Sequence, residues 1–167
     1  DQGLAFDVAV HAGTLVAVMV YYRESLISLL MGVLGSGDNV SLRRREVAAL
    51  LIATLPAVVI GIAFSGVVDQ YLRGIGVIAT TTLLFGLLLG VSYSYRAAGA
   101  DEQPISRLDH ALVIGLAQAL ALIPGTSRSG VTITASLFLG YNLATAARFS
   151  FLMSIPVIAG ALLLMLV

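Results

Sequence analysis

The sequence predicts an all-α, polytopic integral membrane protein, and three observations carry that expectation. Hydrophobic residues make up 59% of the 167 and charged residues only 11%, against about a quarter charged in an ordinary soluble domain; the mean hydropathy is +1.01. The apolar residues gather into runs long enough for helices to cross a hydrocarbon core about 30 Å thick. Two further runs are too short to cross and flank a polar, glycine-bracketed turn, which predicts a re-entrant helix hairpin.

Charge and composition exclude whole classes. Nine acidic residues balance nine arginines, so no net field points to nucleic acid or to an acidic soluble partner. Cysteine is absent, which removes disulfides, thiolate catalysis and cysteine metal sites. Lysine is absent too; arginine suits bidentate phosphate contacts, although a GC-rich genome gives the same bias. The chain opens on Asp1 with no leader, and the apolar run from Ile155 to Val167 stops without a polar flank, so it reads as a piece of a longer polypeptide.

The first span is expected over 5–34, as the apolar run Ala5 to Tyr22 and an amphipathic continuation through Leu34, with Tyr21, Tyr22 and Arg23 as an interfacial anchor. Gly35 to Ser41 and the charge run Arg43 to Glu46 combine breakers with charge and read as a loop outside the membrane. The second span is expected over 47–64, kinked at Pro56. A short loop with Asp69 and Arg73 leads to a third span over 75–95, where Gly86 and Gly90 share a face suited to close helix packing. The loop 96–107, with Asp101, Glu102 and Pro104, is expected in solvent.

The hairpin is expected over 108–140. From Leu108 to Ile123 about 16 residues give about 24 Å of helix before Pro124 stops it. Val131 to Gly140 is shorter still, so the chain is expected to enter, turn and leave on one side. Broken backbone at such depth is tolerated only where it is buried in protein or lines a water-filled cavity. A polar segment with Asn142 and Arg148 precedes the last span, 150–167, which contains Pro156. This topology puts Arg23, Arg43, Arg44, Arg45, Arg96, Arg107 and Arg148 on one side and Arg73 alone on the other. The positive-inside rule makes the crowded side cytoplasmic and sends the hairpin in from there.

Phe6 opens the first span as Phe149 opens the last, a faint sign of the inverted repeats that build midplane sites from broken helices. On that correspondence the matching turn of the first repeat falls about 15 residues ahead of Asp1.

The turn Pro124-Gly125-Thr126-Ser127-Arg128-Ser129-Gly130 holds the candidate chemistry. Three hydroxyls (Thr126, Ser127, Ser129), two glycines and one guanidinium precede a short helix expected to start near Val131. A helix N-terminus offers free N–H groups and partial positive charge, glycine lets backbone approach an anion, and Arg128 offers a planar fork for phosphate oxygens. The same donors can stabilise charge that builds up as a phosphoryl group transfers. The rival reading is a capped helix break with a snorkelling arginine. No Gly-Lys-Ser/Thr follows and no strand precedes, which excludes a nucleotide P-loop. No histidine follows Arg128, which excludes lipid phosphatases built on a downstream catalytic histidine. His11 reads as a packed residue in an apolar helix, His110 as an interfacial one, and the adjoining Asp109 as a helix cap.

These residues carry a resemblance. Asp109 to Ile123, the motif Pro124 to Gly130, and Ala147-Arg148-Phe149-Ser150-Phe151-Leu152 are similar to the second half of the undecaprenyl-diphosphate phosphatase (bacitracin-resistance) family, as are Gly3 to Gly13 and the Arg43 to Glu46 region. The resemblance implies an enzyme of the bacterial inner membrane with its active site facing the periplasm. It would hydrolyse undecaprenyl diphosphate to undecaprenyl phosphate and phosphate, recycling the lipid carrier of cell-wall synthesis. It implies catalytic roles for Arg128 and Ser127, and phosphate binding by Gly125, Thr126, Ser127, Arg128, Ser129 and Gly130. It also implies a divalent cation, Mg or Ca, whose ligands belong to a glutamate-rich helix and a Ser-Ser-Thr-Gly-His turn of the first repeat. Those motifs are not in these 167 residues, so no metal ligand is expected here and the chain alone is expected to be inactive. The implied partners are a polyprenyl diphosphate lipid and the membrane, with no nucleic acid and a homodimer left open. A transporter or flippase for an anionic lipid carrier, and a non-catalytic remnant that binds lipid diphosphate, stand as alternatives.

Overall fold

The computed structural model describes residues 2–72, 74–94 and 103–166, with side chains at 9–63, 72, 74–94 and 103–161. The expectations for Phe6, Asp69, Arg73, Arg96, Asp101 and Glu102 lie outside these. The described chain is a helical membrane protein of seven α-helices: α1 Gln2–Tyr21, α2 Arg23–Leu34, α3 Val40–Tyr71, α4 Ile75–Ser94, α5 Leu108–Ala119, α6 Arg128–Phe138 and α7 Leu143–Leu166, with a 3-10 turn Leu120–Leu122 extending α5. Val40–Ala63, Ile75–Ser94 and Leu143–Ala161 are each long and apolar enough to cross a membrane.

The run expected as one helix over 5–34 is two, bent by 75°. The break falls at Tyr22, whose ring stacks against Phe151 of α7 at 6.2 Å. Immediately after it Arg23, Glu24 and Ser25 turn polar, and Ser25 receives a hydrogen bond from Arg148 Nε at 3.3 Å. An apolar helix has no reason to run straight once its next residues find polar partners to one side.

The expected loop 35–46 is also shorter than its composition suggests. α2 ends in a left-handed Gly35, with Gly35 and Ser36 N–H groups returning to the Gly32 and Met31 carbonyls at 3.2 and 2.8 Å, the Schellman closure. α3 then begins at Val40, so Arg43 to Glu46 are helical. They are helical because their charges are used. Arg44 donates to the carbonyls of Gly32 and Val33 at the negative end of α2 (3.2 and 3.3 Å). Glu46 is fully buried, ion-paired to Arg43 at 3.2 Å and to Arg148 of α7. The segment read as outside the membrane therefore contributes a buried carboxylate that locks α3 to α7. Arg148, expected in a polar segment, lies within α7 for the same reason.

Small residues decide how closely the helices approach, but not at the pair expected. Among the described residues nothing would lie within 4 Å of a Cβ added at Gly86 or Gly90. The close pair is α3 with α5: Ala49, Ala53 and Ala111 have no exposed surface, and a Cβ on Gly115 would meet the Ala53 carbonyl oxygen at 2.6 Å. In a membrane, where lipid competes with any apolar face, such spacing lets backbones pack. Leu29, Leu50, Ile105, Ile114, Phe149, Leu152 and Met153 fill the core around this seam. α3 and α7 stay helical through Pro56 and Pro156.

The hairpin closes on itself. His110 Nδ1 at the start of α5 and the Tyr141 hydroxyl just past α6 are hydrogen-bonded at 2.9 Å, so the chain returns to the end where it entered. Around a cleft of about 400 Å³ at one end of the bundle stand Pro104, Arg43, Arg148, Thr145 and Ser25. The segment leading into α5 and the starts of α2, α3 and α7 thus converge there, and Arg43 and Arg148 line the cleft.

Three substitutions test this architecture. Glu46→Ala leaves two guanidinium groups without their buried partner and should cost about 3–5 kcal/mol, seen as a lower midpoint of unfolding in detergent. Gly115→Leu should cost about 1–3 kcal/mol by overpacking the α3/α5 seam, whereas Gly90→Leu in this chain should be nearly neutral; equal effects would show that the seam is misplaced.

Candidate functional site

The turn is built on a defined backbone. Pro124 occupies the second position, Gly125 follows with φ +89°, and the Thr126 N–H returns to the Ile123 carbonyl at 3.1 Å. Proline second, a left-handed glycine third and a closing bond from fourth to first make a type II turn. Gly125 is required twice over: its φ is unfavourable for an L side chain, and a Cβ there would meet Thr81 Oγ1 at 2.4 Å and the Ile78 carbonyl oxygen at 2.5 Å. The turn rests directly on α4, where Thr81 Oγ1 donates to the Pro124 carbonyl at 2.7 Å and Thr82 Oγ1 to the Gly125 carbonyl at 2.9 Å.

From there the chain enters α6 at once. Ser127, in an extended conformation, is the N-cap, its hydroxyl accepting the Gly130 N–H at 3.2 Å. The helix starts at Arg128, three residues earlier than expected, because a serine cap closes it there. The Val131 N–H is taken by the Ser127 carbonyl at 3.0 Å, so the Arg128 and Ser129 N–H groups are the ones left at the positive helix end. Gly130 is buried, and a Cβ on it would crowd Ser127 Cβ at 3.1 Å. Its place is under the cap rather than against a ligand.

Arg128 is the first residue of α6 and is half-buried. Among the described residues its guanidinium makes one hydrogen bond, a long one of 3.4 Å from Nη1 to the Ser150 carbonyl of α7, which leaves most of its five donors for a ligand. Ser150 is itself tied to α6, its Oγ lying 2.7 Å from Thr132 Oγ1. Thr132 also contacts the Arg128 and Ser129 carbonyls at 3.0 and 3.1 Å. With Thr132's one proton on a carbonyl of its own helix, Ser150 supplies the proton of that contact. Arg128 is thereby held between α6 and α7.

Ser127, Arg128 and Ser129 thus come together at one helix end, with Ser127 Oγ and Ser129 Oγ 3.4 Å apart. Thr126 is different: its hydroxyl is buried with no hydrogen-bond partner among the described residues. Three tie residues on neighbouring helices, Thr81, Thr82 and Ser150, and a fourth on α6 itself, Thr132, escaped the sequence reading. The run Thr80-Thr81-Thr82 inside an otherwise apolar span was the available signal, since hydroxyls in membrane helices seek interhelical partners.

The other candidates stand apart. Asp109 is not the cap of α5: that position is Arg107, without a side-chain cap bond. Instead Asp109 forms a two-pronged pair with Arg107 at 3.2 and 2.6 Å, which holds its carboxyl down at about 2. It and His110 sit at the foot of the hairpin, a helix length of about 18 Å from the turn.

Hydroxyls, N–H groups and a guanidinium make a seat for an oxyanion. They do not make a seat for a cation, which a guanidinium and a helix N-terminus both repel. Among the described residues no group of three His, Asp or Glu side chains converges.

Fold and turn together define a helical membrane protein with an oxyanion seat at the tip of a broken hairpin. Residues 1–167 match the family model described as bacitracin resistance protein BacA, and the chain belongs to that family. Among curated relatives it is 52% identical over 163 residues to the undecaprenyl-diphosphatase of Hahella chejuensis, covering 96% of this chain and 60% of the relative. It is 56% identical over 171 aligned positions to that of Alcanivorax borkumensis (98% and 62%), and 49% identical over 161 residues to that of Saccharophagus degradans (95% and 60%). The chain thus spans about 60% of the length of the curated relatives it matches.

Gly125→Ala should lower stability by about 1–3 kcal/mol through its left-handed φ and its contact with α4. Gly86→Ala, on an open helix face, should change it by less than about 0.5 kcal/mol. Thermal unfolding of the two variants in the same detergent separates these outcomes.

Proposed function

We propose that this chain supplies the phosphate-holding half of the active site of a bacterial membrane enzyme that hydrolyses undecaprenyl diphosphate to undecaprenyl phosphate and phosphate. The observation that carries the reading is Arg128 at the first position of α6, most of its guanidinium donors uncommitted among the described residues, in a chain about half identical to relatives bearing that name. A diphosphate placed there meets a planar cationic fork, two N–H groups and the Ser127 and Ser129 hydroxyls. As the bond to the leaving phosphate breaks, charge grows on the oxygens, and donors already oriented toward them stabilise it.

Ser127 and Arg128 are the residues assigned contact with the reacting phosphate. Ser127 Oγ is exposed and accepts the Gly130 N–H, so its proton is free to donate to a phosphate oxygen. No carboxylate or imidazole stands beside it among the described residues to draw that proton off, and the role assigned to it is donor rather than nucleophile. Gly125 and Gly130 contribute backbone shape, and the buried Thr126 hydroxyl is a further donor facing the turn. The divalent cation implied by the resemblance does not fit the donor set of this turn. Its ligands are assigned outside these 167 residues, and no step here runs through it.

The turn is assigned to the periplasmic side. Thr81 and Thr82, which hold it, lie about 10 Å along α4 from its start at Ile75, the end away from the arginine cluster. With that cluster on the cytoplasmic side, the hairpin crosses more than half the bilayer before turning. Residual water at the far face reaches its tip by the shorter path.

Arg128→Ala, made in the polypeptide as the cell produces it, should lower phosphate release from a polyprenyl diphosphate by about 100-fold or more, with membrane insertion unchanged. Arg128→Lys should recover only part of this, since an ammonium lacks the two-pronged fork. Near-normal release from the alanine variant would refute the assignment.

A further inference from the structure

The central peptide of a type II turn is rotated by roughly half a turn from its type I orientation, in which Gly125 would take negative φ. Which orientation holds decides where the Gly125 N–H points. The Pro124 carbonyl is aimed at Thr81 Oγ1, 2.7 Å away, and in a trans peptide the N–H points opposite to the C=O. The Gly125 N–H is therefore turned away from α4. The next peptide is fixed as well: Thr82 Oγ1 holds the Gly125 carbonyl at 2.9 Å, and the N–H on its other side closes the turn onto Ile123 at 3.1 Å. One helix thus sets two consecutive peptide planes immediately ahead of the Ser127 cap and Arg128.

Thr81 has a single proton and rival acceptors in its own helix, the Val77 and Ile78 carbonyls at 2.9 and 3.1 Å, yet the Pro124 carbonyl is the nearest of the three. Helical threonines are satisfied by their own backbone alone. A shorter bond to another segment is what a turn-holding role requires. Each of the two carbonyls takes its side-chain hydrogen bond from a threonine of α4.

We propose that Thr81 and Thr82 of α4 are positioning residues for the phosphate-binding turn. They hold the Pro124–Gly125 peptide in one orientation so that the Gly125 N–H and the Arg128 end of α6 meet the substrate's phosphates together. This rests on the phosphate-binding reading above. Neither threonine touches the reacting atoms. The guanidinium and helix end still capture the diphosphate when they are lost, so the deficit falls on turnover rather than on binding.

The test replaces both threonines by valine, which keeps shape and removes the donor, and separately by serine, which keeps the donor. In the polypeptide as the cell produces it, Thr81→Val with Thr82→Val should lower kcat for a polyprenyl diphosphate by about ten- to a hundredfold, with KM within about threefold. The serine pair should restore kcat to within about twofold. If the double valine variant does not fold, Thr82→Val alone takes its place, with a smaller fall in kcat expected. Unchanged kcat per folded molecule in the valine variants, with Arg128→Ala inactive, overturns the positioning role and leaves the site reading standing. A serine pair as impaired as the valine pair also overturns it, because packing rather than hydrogen bonding would then be responsible. Activity in Arg128→Ala instead overturns the site reading itself.

Discussion

A helix that stops at membrane depth leaves backbone carbonyls and N–H groups outside its own ladder, and those turned toward neighbouring helices must find a partner there. The geometry around Pro124 follows from that constraint. α5 ends through a 3-10 turn, and the two carbonyls beyond it would be stranded without Thr81 and Thr82. Within α6 the N–H groups of Arg128, Ser129 and Gly130 fall outside the helical ladder, and the Ser127 hydroxyl takes the last of them. The Arg128 and Ser129 N–H groups are left over at this helix end. Unsatisfied donors at a helix end are also the groups from which an oxyanion seat is built.

The bundle separates its two charged centres along its length. At one end Glu46, saturated by Arg43 and Arg148, ties α3 to α7 and is fully enclosed. Two guanidinium groups on one carboxylate satisfy its oxygens and offset the cost of removing it from water. Toward the other end Arg128 has no acid beside it among the described residues and makes one long contact there, to the Ser150 carbonyl. One arginine pair is spent on structure, the lone arginine is left with donors to offer. α7 carries the link between the two, since Arg148 and Ser150 stand two residues apart on it.

Hydrophobic runs, helix-stopping prolines and the length deficit of two segments marked out helices near 47–64, 75–95, 108–123, 131–140 and 150–167 but not the 75° break at Tyr22, because apolar burial acts on each segment separately and leaves its mark in composition. The motif Pro124 to Gly130 was legible for the same local reason: proline, glycine and a serine cap specify turn and helix start through their own backbone chemistry. Where the reading went astray, partners distant in sequence decided. Arg43 to Glu46 looked like loop because a charge run was weighed without Arg148, about a hundred residues away. Gly86 and Gly90 looked like a packing face, yet Ala53 and Gly115 form it, and a small-residue pattern does not name its neighbour.

By itself, then, the sequence determined a helical membrane protein with an arginine-bearing turn between two helices too short to cross, since hydropathy, helix length and turn chemistry are properties of contiguous residues. Only the tertiary structure decided what holds that turn. The hydroxyls of Thr81 and Thr82 reach it, and that of Ser150 reaches Thr132 in the helix that follows, from helices that approach only when the chain has folded, and a hydrogen bond depends on distances between atoms that chain order does not set.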